Sequence, residues 1–349
     1  MRYSRVHLSS LGYELAPVVV TSDEIEERLK PLYDKLHMSE GQLEALTGIS
    51  ERRWWEPDYP LSHGATLAAE RALERAGVPG EAVEVVIYAG VCRESFEPAT
   101  ACRIAAGIGV HPAAGIYDIS NACLGVMNGI FEIANRIELG QIRAGLVVSA
   151  ETAREIVEIT IERMLGEMSM EYFTKGLATL TGGSGAVAVL LTDGSFGNGH
   201  RLVGGAIQAA PEHHDLCRWS LGGATHLQVP GPLQQDMYTD SAPVLQHGVE
   251  LGKRNWRVFL DTLGWTTDDV DRVICHQVGG PHRDNILRAL GLSEERDFST
   301  FAHLGNIGTV SLPITAAIAD EREILVTGHR VAFLGIGSGL NCLMLGWEW

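Results

Sequence analysis

The chain has 349 residues, of which 45% are hydrophobic and 20% charged, and a formal net charge of -17. It is long enough for two domains or one duplicated unit around a sizeable core, and so acidic a chain lacks the basic face that non-specific nucleic-acid binding requires. Six cysteines, at 92, 102, 123, 217, 275 and 342, show neither CxxC pairing nor ligand spacing with histidine, which points away from a disulfide scaffold or metal site and toward a reducing compartment.

Residues 1–20 read as a first strand and its connection, and 22–46 as acidic helical material starting near Ser22-Asp23-Glu24. No apolar signal core opens the chain and no run approaches the ~18 apolar residues of a membrane span, so a cytoplasmic protein is expected. At 47–55 the pairs Arg52-Arg53 and Trp54-Trp55 are predicted to lie in a turn. That turn is either a packed loop or a receptor for a phosphate and an adenine ring. Residues 62–77 form an alanine-rich helix closed by Gly77, before a buried strand over 83–90.

A short apolar strand over 113–117 leads into Asp118-Ile-Ser-Asn-Ala-Cys123-Leu-Gly-Val-Met-Asn-Gly129. Leu124, Met127, Phe131, Ala134 and Ile137 then recur at helical spacing, which places Cys123 at a strand-to-helix elbow. Asn121 is the expected N-cap, and the positive helix end would favour a thiolate. Cys123 is thus a candidate nucleophile, with a small buried hydrophobe as the alternative. Two further stretches, 153–180 and 208–245, look like insertions. The first carries Met164, Leu165, Met168, Met170, Tyr172 and Phe173, as packing filler, dimer interface or acyl-chain channel.

An internal repeat runs through the chain. Residues 76–91 align with 263–278 at a constant offset of 187, each a helix end, a loop and a buried strand. Gly183-Ser184-Gly185 before one apolar strand echoes Gly337-Ser338-Gly339 before another, and Cys123-Leu124-Gly125 echoes Asn306-Ile307-Gly308. The expectation is a duplicated α/β fold with two mixed, largely parallel sheets, divided into residues 1–195 with the nucleophile and 196–349 with its partners. Elbows from both halves can then converge on one pocket. His276 at a strand end, Asn306 at a helix opening and Glu97 in the loop after the 83–90 strand are the other candidates.

These motifs resemble the thiolase superfamily, and within it the ketoacyl-synthase III-like condensing enzymes. The resemblance rests on Thr47-Gly-Ile-x-Glu51-Arg52, Asn121-Ala-Cys123, His276-Gln277, Gly305-Asn306-x-Gly308 with Ser311-x-Pro313, and Gly335-x-Gly-Ser-Gly339. It implies a five-layered αβαβα fold, a homodimer, no metal or nicotinamide cofactor, and coenzyme A thioesters as substrates. The family's Cys-His-Asn triad falls on Cys123, His276 and Asn306. Its oxyanion donors fall on the N–H groups of Cys123 and of Ile336 or Gly337.

Residues 92–100, with Glu97 lying 26 residues before Cys123 (123 − 97), resemble the stretch by which OleA-type enzymes deliver a glutamate into the partner subunit's site. The text of 238–251 is similar to those enzymes too, and His276-Gln-Val-Gly279 departs from the His-Gln-Ala-Asn of typical ketoacyl synthases III. The resemblance implies Claisen condensation of two fatty acyl-CoAs through S-acyl-Cys123, with Glu97 as base. The alternative is a decarboxylating synthase III using acyl-CoA and malonyl-acyl carrier protein, followed by a hydroxymethylglutaryl-CoA synthase. Coenzyme A is expected near Arg52, Arg53 and Trp54, with Lys253, Arg254 and Arg257 as further candidates. A papain-like protease also combines Cys, His and Asn, but the Cys-Gly-x-Cys-Trp context is absent.

Overall fold

The helices Leu61–Ala76 and Ser241–Leu263 end at Gly77 and Gly264, both in the left-handed conformation, with φ of 63° and 70°. Each leads through a 3₁₀ turn, Gly80–Ala82 or Thr267–Asp269, into a short strand, Val85–Tyr88 or Arg272–Cys275. The strand starts are 187 residues apart (272 − 85), the offset of the sequence repeat. Similar sequences have built the same local structure twice.

The computed structural model describes residues 1–197, 199–222 and 234–349. Its strands are β1 (His7–Leu15), β2 (Val18–Thr21), β3 (Glu51–Trp54), β4 (Val85–Tyr88), β5 (Gly115–Asp118), β6 (Ala144–Glu151) and β7 (Gly185–Thr192). They continue with β8 (His200–Ala209), β9 (Cys217–Gly222), β10 (Gln234–Thr239), β11 (Arg272–Cys275), β12 (Arg330–Gly337) and β13 (Asn341–Glu348). Nine of them form one mixed sheet in the order β11-β12-β13-β8-β1-β7-β6-β4-β5. Between β1 and β8 only His7↔Arg201 and Leu8↔His200 are paired. The sheet is therefore two arms that meet at β1 and β8, where residues before β1 extend the contact through Tyr3 N on Val203 O and Leu202 N on Val6 O.

Helices Gly125–Glu138 and Ser311–Glu321 fill the space between the arms, where Ile130, Phe131 and Ile314 pack with Val187, Phe333 and Leu343. Helices Leu61–Ala76 and Thr100–Ile108 cover the outer face of the first arm, packing Ala68, Ala72 and Ile104 on Val86, Leu146 and Leu190. Ser241–Leu263 and Gly280–Leu290 cover the second, with Trp256, Phe259 and Leu287 on Val203, Ala332 and Met344. Helix, sheet, helix, sheet and helix make the five layers of the expected thiolase fold.

Two expectations about the strands need correction. Pairing is less parallel than expected: β4–β5, β4–β6 and β11–β12 are parallel, whereas β1–β7, β1–β8, β6–β7, β8–β13 and β12–β13 are antiparallel. Parallel neighbours need a helical crossover, and β12 is joined to β13 by three residues only, which permits nothing but a reversal. The stretch 47–55 is not a turn, because Glu51–Trp54 pairs with Val18–Thr21 and points Arg52 and Trp54 inward.

The greasy insertion forms helices Arg154–Glu167 and Met170–Leu180, whose Met164 and Phe173 are buried in one cluster with Ile25, Leu32, Leu43 and Trp54. Met164 and Phe173 are packing filler, whereas Leu165, Met168 and Tyr172 are partly buried at the cluster's edge and Met170 is 48% exposed. The second insertion includes the β9–β10 hairpin, and its residues 223–233 lie outside the described residues. Among the described residues no helix is long and apolar enough to cross a membrane.

Gly12 of β1 lets the helix Leu61–Ala76 lie close: a Cβ there would come within 2.1 Å of Ala68 O and 2.6 Å of Ala72 N. Gly12→Ala should therefore cost about 1–3 kcal/mol through overpacking, read as a lower urea midpoint at unchanged slope.

Candidate active site

The elbow begins where β5 ends. Asp118 accepts the N–H groups of Thr100 (2.9 Å) and Ala101 (3.0 Å), tying the strand end to the first turn of the neighbouring helix. The chain then reverses at Ala122, a non-glycine residue at φ 45°. Such a conformation costs on the order of 1–3 kcal/mol and persists only where the surroundings enforce it. Leu124 N donates to Asn121 O at 2.8 Å across the reversal, and Cys123 sits half-buried within it.

The helix starts only at Gly125, with Leu124 as N-cap and no side-chain cap, so Asn121 is not the N-cap the sequence suggested. A left-handed residue at 122 interrupts the helical dihedrals and delays the helix. The Asn121 carboxamide donates to Asn128 Oδ1 (2.6 Å) and accepts from Asn341 Nδ2 (3.2 Å).

His276 stands one residue beyond β11, its N–H donating to Leu334 O of β12 at 2.9 Å. Its ring is buried and Nδ1 has no hydrogen-bond partner. Beside it, Gln277 Oε1 accepts from Thr300 N (2.8 Å) and Phe301 N (3.0 Å), fixing the segment that leads to Asn306. Asn306 N donates to Thr181 O at 3.0 Å, and Asn306 O accepts from Gly183 N at 2.9 Å. Its Oδ1 accepts from Gly308 N at 3.0 Å, which leaves Nδ2 as the group able to donate to a ligand.

These segments are tied together. Val126 N, in the first turn after Cys123, donates to Thr309 Oγ1 at 2.7 Å. At the end of β12, a Cβ on Gly337 would fall 3.1 Å from Leu124 Cγ and 3.5 Å from Cys123 N, so glycine lets the strand end meet the elbow. Through Thr309, Gly337 and Leu334, the structure brings the Cys123, Asn306 and His276 segments to one seam. A small cavity beside His276 lies within the second arm, lined by His282, Ile286, Leu334, Ile336 and Met344, and neither Cys123 nor Asn306 lines it.

Burial sets the protonation of the cluster. It pushes the Cys123 thiol up to about 12, with Cys217 and Glu151 adding to the effect. For the half-buried Cys123, partial loss of hydration thus opposes the pull of the helix end on a thiolate. Burial, and secondarily His282, holds His276 down to about 3, and burial holds His282 itself at about 4. Thiol and imidazole both rest neutral.

Glu151 escaped the sequence reading, because it looks like the polar end of an ordinary strand. It is buried and accepts from Val91 N (2.9 Å) and Cys92 N (3.0 Å), anchoring the root of the 91–98 loop. Burial raises its carboxyl to about 7 against the opposing hydrogen bonds from Cys92 and Val91. His282 and Asn341 also escaped, for no motif marks them. Glu97 stands on that same loop, exposed and beside Phe96, which is 85% exposed, rather than in the buried cluster.

Two of the coenzyme A candidates are structural. Arg52 is fully buried, donating to Val20 O (3.4 Å) and Ser22 Oγ (3.1 Å), with its pKa lowered to about 10 by burial. Trp54 is buried with Nε1 on Gly182 O at 3.1 Å. The inward alternation of β3 takes both from any phosphate or adenine. Arg53 is half-buried, with Nη1 3.5 Å from Ala16 O. On the helix Ser241–Leu263, Arg254 and Arg257 are exposed and Lys253 pairs with Glu250 at 3.0 Å.

Five layers around a cysteine elbow, with histidine and asparagine segments tied to it, define a thiolase-fold condensing enzyme. Residues 260–349 match the C-terminal family of 3-oxoacyl-(acyl-carrier-protein) synthase III. The chain is 54% identical over 353 residues to the acyl-CoA:acyl-CoA alkyltransferase of Shewanella oneidensis, covering all of both chains. To that of Xanthomonas campestris pv. campestris it is 35% identical over 351 residues, again covering both completely. A crystal structure of Xanthomonas campestris OleA with bound lauric acid and lauroyl-CoA matches with a TM-score of 0.92 at 35% identity, covering 99% of this chain and 100% of that one. The chain belongs to the acyl-CoA:acyl-CoA alkyltransferase, or OleA, family.

Two measurements follow from the burial. Alkylation of Cys123 by iodoacetamide should accelerate about tenfold per pH unit from about pH 7 to about pH 10, because the thiolate fraction keeps rising below a pKa of about 12. A plateau near neutrality would show a stabilised thiolate. Arg52→Ala should lower unfolding free energy by about 1–3 kcal/mol while the folded variant keeps its KM for acyl-CoA within about twofold.

Proposed function

We propose that this protein joins two fatty acyl-CoA thioesters head to head by non-decarboxylative Claisen condensation. The observation that carries the reading is the joining of the Cys123 elbow, His276 and the Asn306 segment at one seam. Full-length similarity to proteins named acyl-CoA:acyl-CoA alkyltransferase supports the choice of substrates.

In the first step Cys123 Sγ attacks the thioester carbonyl carbon and its proton passes to His276. The tetrahedral oxyanion is held by the N–H of Cys123 and that of Ile336 or Gly337. The carbon–sulfur bond to coenzyme A breaks, and the departing thiolate takes the proton from His276. A second acyl-CoA then loses an α-proton to the Glu97 carboxylate, and its enolate oxygen is stabilised by donors from His276 and Asn306 Nδ2. The α-carbon attacks the S-acyl carbonyl and the Cys123 thiolate leaves, giving a β-ketoacyl-CoA that hydrolysis converts to a β-keto acid.

Glu97 acts in the site of a second subunit in this scheme. Its exposure, and that of the adjoining Phe96, suit a loop that another copy covers. The working enzyme is then a homodimer, and it uses no cofactor beyond the coenzyme A of its substrates. Arg257 and Arg254 are the exposed cations offered to the coenzyme's phosphates, with Arg53 a weaker candidate. A place in cytoplasmic lipid biosynthesis fits such a product.

The match of residues 260–349 to the synthase III family favours one other reading, decarboxylating condensation with malonyl-acyl carrier protein. Incubation with myristoyl-CoA alone separates the two. The long-chain β-keto acid, or the ketone left after it loses CO₂, should appear by mass spectrometry; product only with malonyl-carrier protein would favour the other reading. Cys123→Ala should abolish product. Glu97→Ala should lower condensation about 10²–10⁴-fold while Cys123 is still acylated.

A further inference from the structure

Asn341 lies directly across from Gly337 in the pairing of β12 with β13. Its Nδ2 donates to Asn121 Oδ1 at 3.2 Å and to Ser338 O at 3.4 Å. Asn121 passes the chain on, its Nδ2 donating to Asn128 Oδ1 at 2.6 Å on the helix that follows the nucleophile. Asn121 is itself bridged to Cys123, and the Cβ position of Gly337 is 3.5 Å from Cys123 N. Three carboxamides thus cross from the second arm of the sheet to the elbow, beside both backbone segments that would bind the oxyanion.

We infer that Asn341, Asn121 and Asn128 are positioning residues that fix the separation between the N–H of Cys123 and the N–H of the β12 end. The inference deepens the condensation reading above and rests on it. Those two donors belong to different arms, so their spacing depends on how the arms seat against each other. A small shift of the strand end along the elbow would stretch one hydrogen bond to the oxyanion. Amides suit the task because they are neutral in all the states involved, whereas a carboxylate would place a negative charge beside the developing oxyanion.

The test compares Asn341→Ala, Asn121→Ala, the double variant and the unaltered protein in two reactions of the same sulfur. Acylation of Cys123 by lauroyl-CoA is followed as single-turnover coenzyme A release, with the acyl mass confirmed on Cys123. Alkylation by iodoacetamide is displacement at a saturated carbon and builds no oxyanion. Acylation should fall about tenfold to a hundredfold in each single variant, less than or near the loss of a whole oxyanion donor. KM and alkylation should stay within about twofold, and the double variant should fall no further than the worse single one, as for residues acting as a unit.

Wild-type acylation in Asn341→Ala, or alkylation that falls in step with acylation, would overturn the inference and leave the condensation reading standing. If Asn341→Ala does not fold, Asn341→Asp keeps the shape and reverses the donor, and acylation at the unaltered rate in that variant overturns the inference as well. An unaltered protein that takes no acyl group on Cys123 would remove the condensation reading, and the inference with it.

Discussion

The end of β12 against the Cys123 elbow is the contact on which the rest depends. The arms meet where β1 pairs with β8 at two positions and the residues before β1 continue the contact, with Tyr3 N on Val203 O and Leu202 N on Val6 O. What seats them is the helix pair between them and the closure at Gly337, where a strand of the second arm reaches the backbone of the nucleophile in the first. A side chain at 337 would press on Leu124, whose Cγ would lie 3.1 Å from the added Cβ. The same closure brings His276, through Leu334, and Asn306, through Thr309, to the sulfur's side of the seam.

Dryness is the second consequence of that closure. Burial is the leading cause of the shifts at Cys123, His276, His282 and Glu151, and in each it favours the neutral form. A neutral thiol and neutral imidazoles suit a reaction whose charge appears only in passing, on a tetrahedral oxygen or an enolate. Fixed N–H donors then meet that charge without water having to reorganise.

Glu151 links this dry seam to the surface. Both its oxygens hold the root of the loop that bears Glu97, while its charge is felt by Cys123. One buried carboxylate thus fixes where the exposed loop leaves the molecule.

The sequence by itself determined whatever depends on neighbours along the chain. Gly77 and Gly264 stop their helices because glycine takes the left-handed conformation freely, and the 187-residue repeat of helix end, turn and strand follows from local pattern. The positions of Cys123 at an elbow and His276 at a strand end were legible because such places have local signatures. Tertiary structure alone decided the rest. Which way Arg52 and Trp54 face was settled by the pairing of β3 with β2, a partner more than thirty residues away. Asn121 left its expected cap for amides at 128 and 341, and Glu151 became an anchor, because contacts across the seam outweighed local preference. Protonation of the cysteine was decided there too: a helix end can be read from neighbouring residues, but the loss of water around a thiol depends on everything that packs against it.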